Sequence, residues 1–342
     1  MKAVVKTKPA KGIEILDVPI PKPAKDEVLV KVKFASICGT DLHIYHWNEW
    51  ADNKIKTPRI LGHEFVGEVI ETGKFVRSVK TGDYVCAETH ISCGRCYECQ
   101  TGLAHICQNL EVFGIDRNGA FAEYAVIPES VLWKVPKEIP LEVAAFCEPI
   151  GNAVHTVFST SIAALKILIT GCGPIGLASI AISKACGAAF IIAVDINDYR
   201  LKLAKKLGAN ITINASKTDV IDEILKSTAG HGVDVVFEMS GSGKALQQSL
   251  KVLRNGGHIS LLGIPDKPIE INTSDDIILK ELTIKGIHGR EIFKTWHQTT
   301  NLIISGFVDF CPIITHKMPL EKFDDAIALM DSGNCGKVIL FP

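Results

Sequence analysis

The chain has 342 residues, which predicts two or three domains at roughly 100–200 residues each. Its 37 Lys+Arg against 38 Asp+Glu leave a net charge of −1, without the basic excess of a nucleic-acid binder, and 47% hydrophobic residues argue against a disordered chain. No apolar run reaches the roughly 18 residues of a membrane span, and the opening MKAVVKTKPAKG lacks the apolar core and cleavage site of a signal peptide, so the cytoplasm is the expected compartment.

Residues 1–40 read as short strands, the clearest being VLVKVKFASI at 28–37, which alternates until it breaks at Cys38-Gly39. TPRILGHEFVGEVIETG at 57–73 reads as a loop and a strand, and another short strand falls within 81–90. Residues 92–109 are polar and Cys-rich, without periodicity. A helix is expected around Val143–Ser159. From Lys166 the pattern changes to apolar strands alternating with helices: KILITG, a helix, AFIIAVDIN, a helix closed by Gly208, ITIN, a helix near 218–229, VDVVFEMS, a helix near 244–253, HISLLGI and LTIKGI. This alternation predicts an α/β unit, a doubly wound parallel sheet covered on both faces. The expected boundaries are 1–151 for a first, mostly β domain, 152–295 for the Rossmann-type domain, and 296–342 for a return to the first.

Gly171-Cys172-Gly173-Pro174-Ile175-Gly176 fits G-x-G-x-x-G and stands between a strand and a helix, the context that makes the motif informative. Glycines let the backbone approach a pyrophosphate, and the helix N-terminus supplies amide donors. Asp195 ends the next strand, nineteen residues after Gly176, where a carboxylate accepts from ribose hydroxyls and repels a 2′-phosphate. NAD is therefore expected rather than NADP, with Arg200 beside the adenine or ribose.

Eleven cysteines with no export signal favour metal or catalysis over disulfides. Cys93-x2-Cys96-x2-Cys99-x7-Cys107 matches a closed tetrahedral zinc site of four thiolates. An iron–sulfur cluster is the alternative, but the C-x3-C-P continuation of the bacterial ferredoxins is missing. A second set is dispersed: Cys38, Gly62-His63-Glu64 and Glu148. Thiolate, imidazole and carboxylate make a catalytic zinc set with one position left open.

Together these residues resemble the zinc-dependent medium-chain dehydrogenase/reductase family. The resemblance is carried by ICGTDLHIYHWNEW (37–50), GHEFVGEV (62–69), the four-cysteine loop, GNAVHT (151–156), GCGPIG, EMSG (238–241), LLGIPDKP (261–268) and IKGIHGRE (284–291). It implies a GroES-like catalytic domain with a structural zinc lobe at about 92–109, and a homotetramer. Catalytic zinc would be held by Cys38, His63 and Glu64, with Glu148 nearby or alternating. Asp41 would hydrogen-bond His63. Thr40 and His43 would form a proton relay. NAD contacts would come from Gly171, Gly173, Ile175, Gly176, Asp195, Arg200, the Leu262-Gly263-Ile264 turn, Ile287 and His288. CGTDLHIYHWNEW and IKGIHGRE are similar to the members that oxidise L-threonine at its β-hydroxyl to 2-amino-3-oxobutanoate. The alternatives are a zinc dehydrogenase of 2,3-butanediol or sorbitol, and a non-catalytic NAD/zinc redox sensor. Arg290 is a candidate partner for the substrate carboxylate, because its fork matches that group.

Overall fold

The computed structural model describes residues 1–342 in two compact units. Unit 1 comprises Met1–Pro149, Arg290–Ile304 and Ile314–Pro342; unit 2 comprises Ile150–Gly289 and Ser305–Ile313. Residues 305–313, expected in the first domain, thus group with the second. Phe310 and Ile313 are buried, and the turn Cys311–Ile313 packs on the helices Pro174–Ala185 and Asp198–Leu207.

In unit 2 the strands Lys166–Thr170, Phe190–Asp195, Ile211–Asn214, Val233–Glu238, Leu253–Leu261 and Thr283–Gly286 pair in parallel throughout. Numbered along the chain, their spatial order is 3-2-1-4-5-6. Lys166–Thr170, Phe190–Asp195 and Val233–Glu238 are mostly apolar, as strands buried on both faces require, whereas Leu253–Leu261 is polar over its first half; Leu168, Ile192, Val236 and Ile259 lie at most 1% exposed. Helix starts follow local chemistry. Pro174 supplies a preset φ at the first helical position, and the Asn197 side chain accepts from the Tyr199 and Arg200 amides. The strand order reverses between the first and fourth strands, where an open α/β sheet leaves a crevice.

Unit 1 is mostly β. Its main sheet runs Leu132–Lys134, Tyr84–Ala87, Glu64–Thr72, Glu27–Ser36, Lys337–Phe341 and Ile314–Pro319, with Tyr124–Pro128 also on Glu27–Ser36. A smaller sheet orders Glu14–Asp17, Lys2–Lys6 and Arg59–Ile60. The core is built from alternate residues such as Val28, Val30 and Val32 with Phe65, Phe121 and Phe323. Burial of each such side chain contributes about 1.5–3 kcal/mol. Helix Gly39–His46 had no periodic signature: it opens on glycine and buries only Asp41 and Ile44. Helices Lys294–Ile304 and Phe323–Ser332 also lie outside the sequence reading.

Candidate active site and metal centres

The long strand Glu27–Ser36 ends two residues before Cys38, which caps the helix Gly39–His46. The Cys38 amide donates to Asp41 Oδ2 at 2.9 Å, which holds the cysteine at the helix start. Opposite, Gly62 turns the chain at φ +94°, and a Cβ there would meet the Phe121 ring at 2.5 Å. Glycine is required at that turn, and it sets His63 and Glu64 at the head of the next strand. Ser36 and Glu64 are register partners on these two strands. The ligand atoms of Cys38, His63 and Glu64 consequently lie within 4.8 Å of one another.

These donors fit a zinc ion. Glu64 Oε1 is buried and accepts no hydrogen bond. Burial alone would lower the His63 pKa, but Asp41, Cys38 and Glu64 outweigh it and raise it to about 10. The pocket gathers anionic groups that call for a cation, and a metal would displace the imidazole proton. Asp41 Oδ1 stands 3.9 Å from His63 Nδ1, so the expected hydrogen bond is an ion-pair distance instead. Burial first, against the pull of His63, raises the Asp41 pKa to about 6.

Thr40 Oγ1 lies 3.7 Å from Cys38 Sγ. His43 follows one turn later on the helix, exposed to solvent, with Nδ1 at 2.9 Å from Asn48 Nδ2. Asn48 Oδ1 accepts from the Ala51 amide, which fixes the side-chain amide and makes Nδ2 the donor to His43. Neutral His43 is thereby assigned its proton on Nε2.

Glu148 is outside the three-ligand cluster. Its Oε1 accepts from Thr89 Oγ1 at 2.8 Å and pairs with Arg290 Nη1 at 2.7 Å. Burial pushes its pKa up, and Glu64 adds to the shift against the opposing guanidinium. Arg290 is 2% exposed and forks onto Glu88, which also accepts from Trp296 Nε1 at 2.8 Å. The guanidinium is committed to Glu88, Glu148 and Thr89, so the expectation that it takes a substrate carboxylate is corrected. A buried Arg must be neutralised within the protein.

The cysteine loop closes on itself. Cys96 Sγ lies 3.4 Å from Cys99 Sγ and 3.6 Å from Cys107 Sγ. Disulfide sulfurs stand about 2.05 Å apart, whereas thiolates about 2.3 Å from a tetrahedral zinc stand roughly 3.8 Å apart. The observed spacing is that of the metal site. All eleven cysteines are free thiols. The amides of Cys93 and Asn109 donate to Cys107 Sγ at 3.4 and 3.3 Å. Cys96→Ser is expected to lose one zinc per chain and to lower the melting temperature, because few apolar side chains order this loop. Metal analysis with a thermal melt checks it; full zinc content and an unchanged melt would sink the assignment.

In unit 2, Gly171 turns at φ +87°, and a Cβ on Gly176 would strike Gly171 O at 1.9 Å. The helix can approach the strand only without that carbon. A Cβ on Gly173, at the helix N-cap, would meet nothing within 4 Å, so the backbone there borders open space. A cavity of about 560 Å³ is lined by Gly171, Gly173, Asp195 and Arg200 with Met239 and Ser240. Asp195 accepts from the Cys172 amide at 2.6 Å and the Asn197 amide at 2.9 Å, which fix the carboxylate at the rim. Arg200 Nε is buried without a hydrogen-bond partner. A glycine turn at a helix N-terminus, a carboxylate lining the same cavity and an orphaned guanidinium nitrogen fit a dinucleotide. Ile175 and Gly176 form the first helical turn outside the cavity wall. The Leu262–Ile264 turn and Ile287–His288 follow the next two strands instead; the Leu262 and Gly263 amides bond Glu238 O, and Ile287 N bonds Leu261 O. Ile264 is 88% exposed.

Residues 24–137 match the alcohol dehydrogenase GroES-like domain, and residues 174–305 match the zinc-binding dehydrogenase model. The chain is 51% identical over 343 aligned residues to L-threonine 3-dehydrogenase of Bacillus velezensis, covering 100% of this chain and 99% of that one. The chain belongs to the zinc-binding dehydrogenase family. The L-threonine 3-dehydrogenase of Pyrococcus abyssi is 49% identical, covering 99% and 98%. Among solved structures, 2R,3R-butanediol dehydrogenase of Bacillus subtilis superposes with a TM-score of 0.88 at 32% identity, covering 100% and 99%.

Several residues that bond the candidate site residues of this dehydrogenase or their partners carry no expectation from the sequence: Ser36, Asn48, Glu88, Thr89, Trp296 and Lys337. The available signals were slight. Glu88 is a carboxylate inside the apolar-flanked CAETH, and Lys337 is a lysine opening the apolar strand KVILF. No helix of the dehydrogenase is long and apolar enough to cross a membrane.

Proposed function

We propose that the chain oxidises L-threonine at its β-hydroxyl with NAD, giving 2-amino-3-oxobutanoate, NADH and a proton. The observation that carries this is the full-length 51% identity to an L-threonine 3-dehydrogenase, against 32% for the butanediol enzyme. When bound, zinc polarises the substrate hydroxyl as a Lewis acid, and NAD accepts the hydride from the β-carbon.

The chain's own residues have separate tasks in this reading. Cys38, His63 and Glu64 would hold the metal, three ligands being the number that keeps a catalytic zinc open to substrate. Thr40 takes the hydroxyl proton and passes on its own to His43, which accepts it at Nδ1 as the Asn48 hydrogen bond opens and releases the Nε2 proton to solvent. Glu148 keeps a carboxylate beside the ligand set while Arg290 balances it. The Gly171–Gly176 turn takes the pyrophosphate, Asp195 the ribose hydroxyls and Arg200 the adenosine end. Leu262, Gly263, Ile264, Ile287 and His288 extend that site along the strand ends. The Asp195 carboxylate would meet a 2′-phosphate with like charge, which favours NAD. A cytoplasmic homotetramer belongs to the same reading and rests on the family resemblance.

The test is NADH formation across L-threonine, L-serine, 2,3-butanediol and sorbitol, each repeated with NADP. The expected result is a kcat/KM for threonine with NAD at least about tenfold above every other pair, the low end of what one missing methyl group costs in an apolar pocket. A diol or sorbitol turned over faster would replace the substrate assignment. No turnover of any alcohol by the zinc-loaded protein would favour a redox sensor.

A further inference from the structure

Glu64 has two oxygens with opposite surroundings. Oε2 accepts from Ser36 Oγ and pairs with Lys337 Nζ. Oε1 is buried and unpartnered, on a residue whose carboxylate belongs to the three-ligand cluster. Lys337 is 2% exposed, an unusual place for a lysine, and only a specific partner set makes it tolerable. Its ammonium donates to Ile37 O at 2.9 Å, next to the ligand Cys38, and sits 5.3 Å from the Phe146 ring centroid. The strand that carries it pairs Ile339 with Ser36, so sheet register brings ammonium, hydroxyl and carboxylate together.

We propose that Lys337 is a positioning residue that restricts Glu64 to exchangeable, one-oxygen ligation of the catalytic metal. The inference rests on the reading of Cys38, His63 and Glu64 as the ligand set. An ammonium on Oε2 occupies the lone pairs that bidentate ligation would need, and its positive charge weakens the carboxylate's hold on a dication. Glu64 can then yield its place to a substrate oxygen and return afterwards. Without the ammonium, the carboxylate has the metal as its principal cation and stays on it. Supporting partners of ligands commonly change metal affinity or activity about 10–100-fold.

The experiment compares zinc-loaded wild type with Lys337→Met, Lys337→Arg, Glu64→Gln and the double variant Glu64→Gln/Lys337→Met. The readouts are zinc release to dipicolinate, the visible spectrum of the cobalt-substituted protein, and kcat with threonine and NAD. Lys337→Met should release the catalytic zinc about tenfold or more slowly, shift the cobalt bands, and lose about tenfold or more in kcat. Lys337→Arg should stay within about threefold of wild type, because it restores the charge. In the Glu64→Gln background the methionine substitution should change release by less than about twofold, since the tethered anion is gone. The double variant also removes both buried charges, so it stays measurable if Lys337→Met does not fold. Wild-type release and spectrum in Lys337→Met, or an equal effect with Gln at 64, would overturn the proposal. A wild-type protein holding only the cysteine-loop zinc would overturn the ligand reading itself, and a zinc count of one per chain distinguishes that failure.

Discussion

Replacing His43 by alanine is expected to leave zinc and NAD bound and to slow turnover by about 10²–10⁴-fold, the usual contribution of a positioned proton-transfer group. His43 is absent from both candidate metal clusters and from the cavity that fits the dinucleotide. Its removal is therefore expected to affect the proposed proton path and not the holding of either group. The ring is exposed and hydrogen-bonded at Nδ1 by Asn48, which leaves Nε2 to exchange with solvent. Small imidazoles and amine buffers should restore part of the rate, because they can carry a proton through the vacated space. Metal analysis, NAD titration and buffer-dependent rates make the comparison. Near wild-type turnover without buffer dependence would remove His43 from the mechanism and leave Thr40 handing its proton to water.

Arg290→Met is expected to be the most destabilising single substitution considered, costing about 3–5 kcal/mol. The guanidinium is buried and is bonded to both Glu88 and Glu148, themselves buried. Burial would lower the Arg290 pKa, but the charges of Glu148 and Glu88 and the hydrogen bond to Glu88 raise it, so it stays charged. Without it, two carboxylates remain in a low-dielectric interior with one cation lost. Trp296, whose indole donates to Glu88 and whose ring lies 5.9 Å from Trp133, then bonds a carboxylate that no longer has its guanidinium. Denaturant unfolding of the zinc-loaded protein measures the loss. Combining Arg290→Met with Glu88→Gln and Glu148→Gln should recover a large part of it, since removing all three charges avoids the unpaired state. An unchanged unfolding midpoint in Arg290→Met would show that the cluster contributes nothing to stability.

Much of the architecture could be read from residue order. Apolar strands alternating with helices from Lys166 to about 286 predict a parallel sheet, because such strands are buried on both faces. The same reasoning did not reach the helix Gly39–His46. Its burial is limited to Asp41 and Ile44, so no apolar stripe announces it. Residues 305–313 group with the second unit rather than the expected first for a related reason. Phe310 and Ile313 are two buried apolar side chains in a short turn, and nothing local says which core they enter.

The sequence by itself determined the features whose geometry is held within one loop or turn. Four cysteines between positions 93 and 107 can meet without help from distant chain, and Gly171–Gly176 shapes its own turn. Tertiary structure alone decided how the candidate metal cluster is balanced. Arg290 and Glu88 are 202 residues apart, and Lys337 lies 300 residues from Ile37, whose carbonyl it bonds. Such pairs are set by strand register and by the desolvation of charges that must find a partner inside. Neither leaves a local pattern, which is why an arginine that invites assignment to substrate proves to be committed to two carboxylates, and why a lysine in the closing strand reaches a candidate metal ligand.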